Sequence, residues 1–598
     1  MIKKPLHNFH IPVMGLAYTI DSPIRVAQYG ISSVISIIDD EIIEKMKNFY
    51  SKKFNLGDLS ISDRVDDYRA KRITAYLDMV DDIVNEKFEA FKEEISRNAA
   101  ALRNFTDMLP NTSEVKAGLK NMLDQNPTVA SVRNFIEKHL SPGNIDVNIM
   151  TKVDKDNFKN SEPLPVIYND AHASLRGFAN SRLSSSVVLS AGMNPRLYSY
   201  LEEFADFFPD SNGILKKKII LKVSDFRSAI VQGNFLAKKG LWVSEYRIES
   251  GLNCGGHAFA TEGLLLGTIL EEFKQKKNEL IRSAYDLMAK ALEQKQKYPV
   301  SVPPEMKITV QGGVGTSEEH DFLLKTYDIE SIGWGSPFLL VPEATSVDRE
   351  TRELLVQSKE ADFYLSNLSP LGVPFNTVKG TSNEIIRHEK EKRNRYGSSC
   401  PKKFLALSRE YSPEGICTAS KKYQDIKFME LDAEKESITE EVFQKRKEAI
   451  TEKACLCVGL VNAAYMEQNL PVKGEKQGVV ICPGPNLAFF DKEVSLSEMV
   501  QHIYGNKNIL PDNNRPHMFI NELKMYVEHL KKEVQDFSGM LTNAQIKKWK
   551  TFKDNLLQGI VYYETLFRET DFFRKDSSIS QQLEQGRLII SEIEIPGN

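Results

Sequence analysis

The chain is 598 residues long, 41% hydrophobic and 27% charged, which fits a soluble globular protein with one large domain plus additions rather than a disordered or fibrous chain. Its net charge is −4, and with no basic block there is no electrostatic case for a nucleic-acid partner. No signal-peptide pattern precedes Pro12, no apolar run reaches membrane-spanning length, and six cysteines in so long a chain do not read as a disulfide framework. These features imply neither a nucleic-acid nor a membrane partner, and the cytoplasm as the simplest location.

Taken in order, short apolar runs read as strands: 11–16 (IPVMGL) and 33–38 (SVISII), with a short helix between them capped by Ser22 and closed by Gly30. Residues 39–140 break this rhythm. Apolar residues there recur every three or four positions, so the segment reads as a helical insertion, an ordered lid or packing helices, with a mobile, solvated charged segment as the alternative. The strands resume at 146–151, 186–191, 218–223, 241–246, 307–311 and 331–335. Eight strands alternating with helices over residues 11–343 predict a (β/α)8 barrel of the TIM type, made from 1–38 and 141–345 with the insertion after strand 2. A doubly wound open sheet is the competitor, but no GxGxxG follows the first strand.

Beyond Glu343 the texture changes. Residues 346–494 are loop-rich and hold five of the six cysteines, and 495–598 reads as helices. Cys400, Cys417, Cys455, Cys457 and Cys482 thus form an uneven cluster in the sequence, in SSCPKK, GICTAS, ACLCVG and VICPGP. Cys-Pro and Cys-x-Cys neighbours offer thiolates to a [4Fe–4S] cluster or a tetrahedral zinc. The bland alternative is that cysteine is a common small core residue.

Three stretches carry the chemistry. In LWVSEYRIESGLNCGGHAF, Gly255 and Gly256 permit close backbone approach to a ligand, and His257 follows as a residue able to exchange protons near neutral pH. In QGGVGT and GWGSPF, closely spaced glycines after the last two strands present N–H groups as an anion-binding concavity, where barrels often hold phosphate. The positive end of a helix starting near Ser317 points to the same place.

In these stretches the chain resembles the nitronate monooxygenase family of flavin barrels, also called 2-nitropropane dioxygenases, and the related flavin-type enoyl-acyl-carrier reductases. The resemblance runs in order through HIPVMGLAYTIDSPIRVAQYG, VNIM, GLWVSEYRIESGLNCGGH, QGGVGT and GWGSPFLLVPEA. It implies FMN as cofactor, contacted by Met14 and Gly15 at the end of the first strand, by Asn148, and by Gly255, Gly256, Gly312, Gly313, Gly335 and Ser336. It also implies His257 as general acid/base beside the flavin. Lys152 and Lys222, at predicted strand ends, are placed to steady an anionic flavin.

The family usually has an acidic and a small residue before Gly-Gly-His, whereas here Asn253 and Cys254 stand there, after a longer loop that includes Arg247 and Glu249. That departure bears on the nitronate substrate more than on the flavin. Arg247 is a candidate for a substrate carboxylate or phosphate, or an ion-pair partner of Glu245 or Glu249. His320 reads as a surface or packing residue, and His10 as lying at the barrel's bottom. The leading expectation is an FMN-dependent oxidoreductase acting on a small or acyl-type organic substrate, with NAD(P)H or a protein as electron donor. The alternatives are a nitronate-type monooxygenase using oxygen, a non-flavin phosphate-ligand lyase or isomerase, and an electron-transfer subunit without its own substrate.

Overall fold

Eight parallel strands close into a barrel in the computed structural model, which describes residues 5–125, 128–190, 192–253, 262–472, 478–511, 515–537, 541–570 and 578–596. They are β1 (Phe9–Ile11), β2 (Ser32–Ser36), β3 (Ile145–Ile149), β4 (Ser186–Leu189), β5 (Lys218–Val223), β6 (Val243–Glu249), β7 (Lys307–Gln311) and β8 (Ser331–Gly333). Closure comes from β1 pairing with β2 on one side and β8 on the other. The protein is a TIM barrel, as the strand–helix rhythm predicts. Outward positions such as Val147, Val187, Ile219 and Ile248 join the main core beneath the helices, while Val13, Val34, Val188 and Ile220 form a separate small cluster.

Strand β6 departs from the sequence reading. It runs on to Glu249, so Arg247 and Glu249 lie in the strand and not in the loop beyond it. Pairing explains this: Arg247 is in register with Lys222 of β5 and Thr309 of β7, and Glu249 with Gln311. Glu245, Arg247 and Glu249 alternate with the apolar Tyr246 and Ile248, as a strand with two different faces requires.

The insertion forms five helices: Asp40–Lys53, Tyr68–Arg97, Ala99–Asp107, Glu114–Asp124 and Val129–His139. Side chains of Asp39, Asn98, Ser113 and Thr128 cap four of them. The long helix Tyr68–Arg97 lies against the barrel helix Asp170–Ala179, where a Cβ on Gly177 would meet Ile73 at 2.7 Å. The last three share a small core with Leu6, just ahead of β1. Asn111 and Asp107 bond to Tyr504 and Asn506. The last three helices therefore pack at the N-terminal end of the barrel, whereas the first, Asp40–Lys53, starts just beyond β2, where Asp39 pairs with Lys402 and Lys45 reaches Pro471 O.

The chain after β8 returns to the barrel at its far end. Helix Leu496–Ile503 packs against helix Ser317–Tyr327, and Tyr504 beyond it bonds His7 at 2.9 Å. A hairpin of β9 (Phe363–Ser366) and β10 (Phe375–Val378), the cysteine-bearing loops and three C-terminal helices (Met518–Gln535, Asn543–Glu569 and Ser578–Glu592) complete the structure. Among the described residues no helix is long and apolar enough to cross a membrane.

Candidate active site

At the C-terminal mouth, Glu249 at the end of β6 is a hub. Its Oε1 accepts from Lys222 Nζ at 3.0 Å, from Gln311 Nε2 at 2.8 Å and from Asn253 Nδ2 at 2.7 Å. Lys222, one residue before the end of β5, and Gln311, the last residue of β7, reach it from the strands on either side. The donors are used, but the acceptors are not: Asn148 Oδ1, Asn253 Oδ1 and Gln311 Oε1 are buried with no hydrogen-bond partner. Buried amide oxygens are normally satisfied, so three at one barrel mouth mark a place for a ligand that donates.

Beside them, the chain after β1 turns at Gly15, whose φ of +55° and 2.4 Å approach of a would-be Cβ to the Tyr18 ring require glycine. The Tyr18 hydroxyl donates to Val480 O, so the extension closes against this turn. Met14 is fully buried. Lys152 follows β3, its side chain beside Gly192, and burial lowers its ammonium below the usual lysine range.

The turns after β7 and β8 form the second part of the site. Gly312 and Gly313 have φ of +108° and +86°, and their would-be Cβ atoms fall 2.9 Å from the Asn253 backbone and 2.8 Å from Leu252. Among the described residues, the backbone N–H groups of Gly313, Val314, Gly335 and Ser336 donate to no protein acceptor. Neighbouring N–H groups with no acceptor are the property an anion-binding turn needs.

Gly315 is different, because its N–H donates to the Glu319 carboxylate at 2.9 Å. Burial pushes Glu319 up, but the adjacent Arg515 guanidinium outweighs this and holds the carboxyl below its usual range. Arg515 binds Glu319 at 2.7 Å, Gly313 O at 2.9 Å and Asn486 at 2.8 Å. The extension also reaches the β8 turn, where Gly484 N–H donates to Ser336 Oγ at 2.8 Å. The sequence reading missed Glu319, Arg515 and Asn486, and took Cys482 only as a candidate metal ligand. Their only local signal is the charge of Glu319 in the first turn of a helix.

A carboxylate from the C-terminal helices supports the segment between β6 and the next helix. Glu522 is buried and accepts from Ser250 Oγ at 2.8 Å and from Leu266 N–H at 2.7 Å. Burial raises its carboxyl to about 7. Between those two contacts lie Cys254, Gly255, Gly256 and His257, which are outside the described residues.

Arg247 is away from the mouth. It is buried inside the barrel, bound to Glu245 at 2.7 Å, and Glu245 also accepts from Thr309 at 2.6 Å. This is the ion-pair alternative, in a strand interior. His10 lies in the same interior, its Nδ1 bonded to Ser331, and burial together with Arg247 drives its imidazole well below the usual range. Asp146 is raised to about 6 by burial, against the opposing pull of Arg247. His320 is a core residue rather than a surface one: it bonds Asn8 and accepts from Trp334 Nε1 at 3.2 Å.

A cavity of about 750 Å³ opens between the β9–β10 hairpin and helix Met518–Gln535, with Asn376, Pro483, Pro485 and Met525 among its lining residues. Asn376 Nδ2 donates to Gly251 O, and Met525 lies against Gly251, so the cavity adjoins the loop after β6. Cys400, Cys417, Cys455, Cys457 and Cys482 are all buried and none is in a disulfide. Among the described residues no three or more His, Cys, Asp or Glu side chains are grouped to hold a metal ion.

No protein-family model matches the sequence, and no curated protein matches it significantly. Solved structures similar in fold include the enoyl reductase domain of MlnA from the macrolactin biosynthesis cluster of Bacillus amyloliquefaciens, at 16% identity over 68% of this chain and 87% of that one, with a TM-score of 0.32. FabK from Thermotoga maritima is 12% identical over 68% and 83% of the two chains, with a TM-score of 0.30. Nitroalkane oxidase from Streptomyces ansochromogenes is 10% identical over 64% and 84%, with a TM-score of 0.28.

Proposed function

We propose that this protein is an FMN-dependent oxidoreductase with the cofactor at the C-terminal mouth of the barrel. The observation that carries the reading is the pair of adjacent turns after β7 and β8, whose N–H groups at Gly313, Val314, Gly335 and Ser336 have no acceptor among the described residues. A phosphate supplies acceptors on several sides at once, which suits such a set. The polar end of the ring system, with its own N–H donor, suits the unpaired oxygens of Asn148, Asn253 and Gln311. Lys222, held by Glu249, brings a positive charge to the same mouth.

FMN, when bound, supplies the redox chemistry. The chain's own residues hold it, exclude water and move a proton. Pro483–Asn486 and Arg515 cover the glycine turns, and the cavity beside the β9–β10 hairpin offers room for a small or acyl-type organic substrate. His257 keeps the proton-transfer role implied by the Gly-Gly-His motif, and Glu522 ties down both flanks of that loop.

The test is a visible spectrum of the purified protein, followed by release and identification of the chromophore. Flavin absorption and released FMN are expected. A protein that stays colourless after incubation with FMN would overturn the reading. His257→Ala is expected to keep the flavin and lose turnover, and full retained activity would remove His257 from the mechanism.

A further inference from the structure

The chain beyond β8 braces the turn after β7 from its carbonyl side. Arg515 Nη2 donates to Gly313 O at 2.9 Å, and Asn486 Nδ2 donates to Val314 O at 2.8 Å. Arg515 Nε donates to Asn486 Oδ1 at 2.8 Å, which joins the two side chains into one support. Asn486 is buried and the Arg515 side chain is 5% exposed, so the support is enclosed by protein. In a planar trans peptide the C=O and the next N–H point opposite ways. Holding Gly313 O therefore turns the Val314 N–H away from Arg515, and that N–H has no acceptor among the described residues.

The neighbouring peptide is handled differently. With Val314 O held by Asn486, the Gly315 N–H points to the Glu319 carboxylate at 2.9 Å. That carboxylate also accepts from Met518 N–H and from Arg515, both at 2.7 Å. It lies in the first turn of helix Ser317–Tyr327, so the negative charge this helix end favours is already supplied by the chain. Among the described residues the open donors are thus Gly313 and Val314 of one turn and Gly335 and Ser336 of the other. On the second turn Gly484 N–H donates to Ser336 Oγ at 2.8 Å, which leaves the hydroxyl its own hydrogen to give. Gly484 comes this close because it has no side chain: a Cβ there would fall 2.2 Å from Leu252 O and 3.1 Å from Ser336 Oγ.

We propose that Gly484, Asn486 and Arg515 make this mouth selective for a phosphomonoester, and so for a flavin that carries its phosphate over one that does not. Arg515 and Asn486 bond the carbonyl side of the β7 turn, opposite its free N–H, so they position donors rather than contact the anion. Fixing the peptide planes before the ligand arrives removes the cost of ordering them on binding. The benefit falls on the phosphate alone, because the amide oxygens of Asn148, Asn253 and Gln311 are held by other elements. Selectivity for FMN rests on the function proposed above, whereas the preference for a phosphate group does not.

FMN, riboflavin and inorganic phosphate are titrated by calorimetry against full-length protein freed of bound ligand. FMN is expected to bind about tenfold or more tighter than riboflavin. Arg515→Met and Asn486→Ala are each expected to cut that ratio about threefold or more, with riboflavin affinity unchanged. Equal binding of the two flavins by the unaltered protein, a ratio unchanged in both variants, or riboflavin weakened as much as FMN would each overturn the proposal. If the protein binds inorganic phosphate but neither flavin, and the variants weaken that binding, the flavin assignment falls while the phosphate preference stands. If it binds none of the three, both fall. Arg515→Met leaves Glu319 buried without its cation. Where that variant does not fold, the paired change Glu319→Gln and Arg515→Met removes both charges and, with Asn486→Ala, decides.

Discussion

Strand β6 points three charged residues the same way, and the barrel treats them differently along its length. Glu245 and Arg247, in the interior, satisfy each other and Thr309. Glu249, at the mouth, gathers Lys222, Gln311 and Asn253, yet the two amide oxygens of that cluster, and Asn148 Oδ1 beside it, are without partners. In the interior the charges are paired with each other, so that removing one strands another, although His10 Nε2 there has no partner either. The mouth is an incomplete network, which a ligand completes. Buried charge therefore does not by itself mark a site; several unfinished hydrogen bonds gathered at one mouth are the stronger pointer.

The largest expected effect tests the interior half of this contrast. Arg247→Met leaves Glu245 buried beside Thr309 alone and is expected to lower unfolding free energy by about 3–5 kcal/mol, read as a shift in the urea midpoint. A stable Arg247→Met protein that loses its ligand would reverse the assignment and make Arg247 a binding residue.

Glu522 sharpens the contrast from another direction, because N–H and hydroxyl donors hold it with no cation among its causes of shift. Its folded-state pKa, about 7 against an ordinary 4.5, means the folded protein keeps a proton that the unfolded chain has already lost. Stability therefore falls as pH rises from 4.5 towards 7, by about 3 kcal/mol in all. Glu522→Gln is expected to flatten that part of the profile. Urea midpoints at mildly acidic and mildly alkaline pH decide it, and an unchanged slope would show that the carboxyl is ionised in the fold.

At the mouth, Gly313→Val forces a branched side chain into left-handed backbone against Leu252. It is expected to weaken FMN binding at least tenfold, about 1.4 kcal/mol, as measured by fluorescence titration. The smallest effect belongs to Asn148→Leu. It removes one unpaired acceptor and is expected to weaken FMN binding by about 1 kcal/mol while leaving the fold as stable or slightly more so. Equal binding by the variant would mean that Asn148 faces no ligand, and the mouth would lose one of its three open acceptors.

The sequence alone determined the barrel. Strand runs such as KIILKV and KITVQ, and glycine turns such as QGGVGT, are local patterns, and each of the eight strands lies where its apolar run predicts it to within a few residues. Turn conformation at Gly312 and Gly313 is likewise a property of two neighbouring residues. Only the tertiary structure decided which groups meet. Glu319 and Arg515 are 196 positions apart, and His7 and Tyr504 are 497 apart. Periodicity reports which face of an element is apolar, but it carries no information about which distant element covers that face. That is why Arg247, read as a loop residue that binds substrate or pairs with a neighbouring carboxylate, proved to be a strand residue in the barrel interior paired with Glu245.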